Sequence, residues 1–205
     1  MIEAYENILQ IAVLLACMGI ALHRAAAFES RTWVLAFFFF ASWLLGDIYW
    51  LVCLIFYERT PQISVVSDLS WYASFVFLYL LLLRTAEPRI PVRKNVLPWL
   101  GPVLAAAMCV FFMQWGEILS NLVYAVLMGL LLYAGINRLT DREHYRGKRF
   151  LSVMILLLCL LEYGLWTASC FFDADTLANP YYWFDLLITV SFICFLPAVK
   201  KAVTA

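Results

Sequence analysis

The chain has 205 residues, 65% of them hydrophobic and 14% charged, and its 14 Lys and Arg balance 14 Asp and Glu to a formal net charge of zero. A soluble domain runs at roughly 45–50% apolar and 25% charged, so this composition, with a mean hydropathy of +0.88, excludes a water-soluble globule and predicts an integral membrane protein. No nucleic-acid partner is expected of such a chain.

Seven apolar runs, each long enough to cross a bilayer as a helix, follow one another, and almost nothing is left for a second domain; residues 1–205 read as one membrane domain. The runs are continuous and not alternating, which predicts an all-α integral membrane bundle and not a barrel. The first, about 5–23, opens with Glu3 and Glu6 and carries its basic residues His23 and Arg24 behind it, opposite to a signal peptide, so it is expected to be a retained first helix. The second, about 33–57, holds Asp47; the third, about 63–83, holds Asp68. A stretch with three prolines, RTAEPRIPVRKNVLP (84–98), then reads as a stiff linker into a fourth helix over 96–115. The fifth covers 118–137 and is followed by the charged connection NRLTDREHYRGKR (137–149), a solvated anchoring loop or else a surface for anionic lipid headgroups or a cytoplasmic partner. The sixth, about 150–172, holds Glu162, and the seventh, about 180–199, holds Asp185.

With the helices alternating in direction, 13 of the 14 Lys and Arg fall on one side and only Arg59 on the other. The positive-inside rule then predicts an amino terminus outside and a carboxyl terminus in the cytoplasm, in a multi-pass protein of a bacterial inner (plasma) membrane. Glu3, Glu6, Glu58, Glu117, Asp173 and Asp175 gather on the outer side.

Burying an isolated carboxylate at membrane depth costs several kcal/mol or more, so four of them mark a functional or structural site. Side chains three and four apart share a helix face. By that spacing Asp47 lies with Trp43 and Trp50, Asp68 with Trp71 and Tyr72, Glu162 with Trp166, and Asp185 with Tyr181 and Tyr182. All four acids fall in the outer half, where no span supplies a Lys or Arg. Ten of these residues, all but Tyr182, are expected to line an outward-facing pocket, with Asp47 and Glu162 at its floor and Asp68 and Asp185 near its mouth. Such a pocket suits a cationic or amine small molecule. The alternative is that the acids join helices by hydrogen bonds to Ser42, Asn121, Tyr124 or Thr189.

The six cysteines form no CxxC pair, and His23 and His144 lie at the cytoplasmic boundary, so neither a metal site nor a cofactor is expected. GDIYWLVCLIFYERTPQISVVSDLSWY, from Gly46, and LEYGLWTASCFFDADTLANPYYWFD, from Leu161, share a plan. A mid-helix acid is followed by Trp, then a proline-containing outer loop, then a second acid among aromatics. This suggests a parallel repeat of three helices, a linker helix and three more.

GD-x-x-W at 46–50 and S-x-x-SD-x-x-WY at 64–72 resemble the membrane-embedded sensory modules at the amino terminus of bacterial diguanylate cyclases of the GGDEF class. That resemblance implies a ligand-sensing bundle, here expected to stand alone and to signal through a separate cytoplasmic partner. Pro61-Gln62 is similar to the dipeptide of the SWEET and cystinosin transporters, but it lies in a loop without a second copy and reads as coincidence. The Gly46-Asp47 pair is also similar to that of the lysoplasmalogenase hydrolases, which implies paired carboxylates activating water; the histidine expected after that helix is missing. No lysine precedes Lys200 in the last helix, which removes retinal chemistry. The sequence therefore leans to a non-enzymatic sensor or transporter module over a lipid hydrolase.

Overall fold

A computed structural model describes residues 2–57, 65–86, 95–141 and 147–204. Glu58, Arg59 and Pro61-Gln62, most of the proline-containing linker, and Arg142, His144 and Arg146 lie outside the described residues. The described chain forms seven α-helices: α1 (Ile2–Phe28), α2 (Arg31–Tyr57), α3 (Val65–Arg84), α4 (Leu100–Phe112), α5 (Ile118–Thr140), α6 (Arg149–Phe171) and α7 (Pro180–Thr204). Six of them are long and apolar enough to cross a membrane. The fourth is not: with a preceding 3₁₀ turn at Leu97–Trp99 it runs only from Leu97 to Phe112, against an expected 96–115. At 1.5 Å per residue it reaches about 24 Å, short of a hydrocarbon core of about 30 Å. Pro98 sets its start, where a missing N–H costs nothing, and Met113–Gly116 turn the chain away.

The helices are apolar on nearly every face, as a lipid-immersed bundle requires, so exposed Leu45, Ile55, Val126, Leu160 and Val190 point away from the interior. Inside, α1, α2, α3, α5, α6 and α7 close a ring in that order, and α7 returns to α1. The short α4 packs along α5. It comes close because Gly101 carries no side chain; a Cβ there would stand 2.6 Å from the Leu132 Cβ and 2.8 Å from the Tyr133 backbone nitrogen.

Two features set the ends of the ring. A tight turn with Glu29 at φ 46° reverses the chain between α1 and α2. At the seam of α3 and α5, Arg138 is buried (4% exposed) and serves as more than an anchoring loop charge: it donates to Thr85 Oγ1 at 2.9 Å and to the Leu82 carbonyl, capping the last turn of α3. Midway, Phe39, Phe40, Trp43, Phe75, Phe192 and Phe195 meet edge to face and join α2, α3 and α7 inside the ring. Five of these six are fully buried, and Trp43 is 4% exposed.

Candidate functional site

Between that aromatic layer and the end of the ring where α1 begins lies a cavity of about 610 Å³. Nine of the ten residues that the sequence singles out line it. From α2 come Trp43, Asp47 and Trp50, and from α3 Asp68 and Trp71; α6 and α7 bring Glu162, Trp166, Tyr181 and Asp185. Tyr72 does not reach it. Its hydroxyl is 2.5 Å from Ser120 Oγ and its ring stands against Tyr124, so it belongs to the α3–α5 seam.

The acids are graded by depth. Asp47, Glu162 and Asp185 are 2%, 3% and 7% exposed, while Asp68 is half-buried. Asp185, expected near the mouth, is therefore nearly as enclosed as the two acids expected at the floor. Its Oδ1 accepts from Gln10 Nε2 at 2.8 Å, and Gln10 also donates to Thr189 Oγ1 at 3.1 Å. Asp47 Oδ1 accepts from Trp71 Nε1 at 3.2 Å, whereas its Oδ2 has no partner among the described residues. The aromatic partner of Asp47 thus comes from the neighbouring helix as well as from its own face. Gly46 makes this possible, since a Cβ there would lie 2.6 Å from Trp71 Nε1.

The sequence reading leaves out α1, and the structure places much of the site on it. Glu3, Asn7 and Gln10 line the cavity, and Glu6 sets its carboxyl beside that of Asp185. Glu3 accepts from Trp50 Nε1 at 3.0 Å. Both Glu6 oxygens are buried with no donor among the described residues, and two carboxyls side by side hold together only by sharing a proton or a cation. The signal was present: positions 3, 7 and 10 follow the helical three-and-four spacing, so the polar side chains form one stripe on an otherwise apolar helix. Placing Glu3 and Glu6 at a boundary hid it. Glu117 and Asp173, from the connections before α5 and after α6, complete the rim.

Among the described residues, seven carboxylates, four indoles and two phenols therefore face one space, and no Lys, Arg or His lines it. Of the hydrogen-bonding partners expected under a purely structural role, Thr189 serves Gln10, and Asn121 donates to the Phe112 carbonyl at 3.1 Å and not to an acid. The carboxyls are spread around the walls, and among the described residues no three His, Cys, Asp or Glu groups converge as metal ligands would. Compared with known protein families, curated proteins and solved structures, the chain matches none.

Proposed function

We propose that this chain is a membrane-embedded binding module for an organic cation or amine, acting as a sensor or as a small-molecule transporter. The observation that carries this reading is the cavity of about 610 Å³, lined among the described residues by seven carboxylates and no basic residue, with one oxygen of the most buried of these acids, Asp47, lacking a partner among them. Buried carboxylates without counter-charge attract a cation, and indole faces add cation–π attraction of about 0.5–2 kcal/mol each. Carboxyls spread over several walls suit an extended ammonium compound.

On this reading all seven helices are embedded, the amino terminus is outside, and the cavity opens away from the cytoplasm of a bacterial plasma membrane. The positive-inside asymmetry supports it. A parallel repeat of α1–α3 and α5–α7 about an axis near the membrane normal fits the order of the ring, because the seams α7–α1 and α3–α5 exchange under it. The cavity then sits between the halves, and the aromatic layer closes it toward the cytoplasm. The likeness of the Asp47 and Asp68 segments to diguanylate cyclase sensory modules favours the sensor.

The test is a titration of the purified chain in nanodiscs with primary and quaternary ammonium compounds, read from tryptophan fluorescence. Asp47→Asn should weaken binding at least about tenfold, or about 1.4 kcal/mol, while thermal unfolding stays cooperative. Unchanged binding in Asp47→Asn, Glu162→Gln and Asp185→Asn alike would sink the reading. Uptake into liposomes separates a transporter from a sensor.

A further inference from the structure

At the opposite end of the ring, four cations from four helices surround a second cavity. Arg24 near the end of α1, Arg31 at the start of α2, Arg84 at the end of α3 and Lys200 near the end of α7 line a space of about 440 Å³. Among the described residues Glu29 is the one acid lining it, so four positive charges less one negative leave a formal +3. None of the four pairs with a carboxylate among the described residues. Arg24 is held another way, its guanidinium carbon 5.1 Å from the ring centroid of Trp33, which is 2% exposed and therefore fixed. The cavity also receives the first turn of α2. The Val34 N–H is bonded to the Ser30 carbonyl at 3.1 Å, so the N–H groups of Arg31, Thr32 and Trp33 are the free donors of a helix start, with its partial positive charge.

We propose that this cavity is a binding site for a phosphate group, independent of the acidic cavity. Guanidinium forks and a helix start both match the several oxygens of a phosphate, and they converge here from separate elements. The space exceeds a bare phosphate, so a phosphate ester fits it. Phe28 and Val203, 67% and 40% exposed, flank the site with apolar surface that an acyl chain would cover. A lipid headgroup and a soluble phosphate compound share this chemistry.

The experiment measures thermal unfolding of the full chain in nanodiscs. One arm adds inorganic phosphate to phosphatidylcholine nanodiscs, with chloride at matched ionic strength as reference; the other replaces part of the phosphatidylcholine with phosphatidic acid. A raised midpoint in the first arm assigns a soluble phosphate, and a rise only in the second assigns a lipid headgroup; either supports the site. The double variant Arg24→Gln, Arg84→Gln should weaken the response roughly a hundredfold in concentration and Lys200→Gln roughly tenfold. Lys200 is exposed, so its variant carries the test if the double variant does not fold. Lys201→Gln, at the same end but outside the cavity lining, should leave the response unchanged. No rise in either arm, or an equal loss in Lys201→Gln and Lys200→Gln, overturns the proposal, the latter because it would reduce the effect to diffuse surface charge.

Discussion

Gly46 and Asp47 show how one residue can serve both packing and the site. The Trp71 indole lies where a Cβ on Gly46 would be, and from there donates to Asp47. The ring cannot easily withdraw, because it is also set against Trp50 at 5.8 Å between centroids. Gly46→Ala should therefore overpack the α2–α3 contact, costing about 1–3 kcal/mol in reversible unfolding, and should displace the Asp47 partner. In a Trp71→Phe background the smaller ring leaves room, and the added cost of Gly46→Ala should fall below about 1 kcal/mol; equal costs in both backgrounds would disconnect the glycine from the indole. A glycine beside a mid-helix acid is visible in sequence. That it makes room for an indole three residues past another acid is not, because it depends on how α2 and α3 are rotated toward each other.

Among elements, the long helices were legible because a bilayer imposes their length and apolarity together. The exceptions have local causes. The fourth helix is cut short by Pro98 and by the turn at Met113, and α1 begins before its apolar run, at Ile2, because Glu3, Glu6, Asn7 and Gln10 face the interior. Which helices touch was less legible, since the closing seams α7–α1 and α3–α5 depend on a few side chains and not on periodicity. Arg138 is the case in point: by position it reads as one more positive-inside charge, yet it is buried and binds the end of α3. Arg138→Gln should lower stability by on the order of 3 kcal/mol, since buried acceptors lose a charged donor. Arg138→Lys should recover only part of that, because one ammonium cannot reproduce the fork that reaches Thr85 and Leu82 together. Full recovery by Lys in a chemical-unfolding series would reduce Arg138 to a charge.

Over the whole molecule, charge is sorted by end. Arg24, Arg31, Arg84, Arg138, Lys148, Arg149, Lys200 and Lys201 lie at helix ends on one side of the ring, while Glu3, Glu117, Asp173 and Asp175 lie on the other. The two cavities follow the same division, acidic at one end and basic at the other, with the aromatic layer between them. Since loop Lys and Arg resist translocation, the proposed orientation makes a direct prediction for single cysteines introduced into a variant lacking the six native ones, of which Cys194 is exposed. A cysteine replacing Asp173, at the acidic rim, should react with a membrane-impermeant maleimide in intact cells. One replacing Lys201 should react only after permeabilisation. The opposite pattern would turn the acidic cavity toward the cytoplasm, and its occupant would then be an intracellular amine; labelling of both sites in intact cells would mean that the chain inserts in two orientations despite its charge asymmetry.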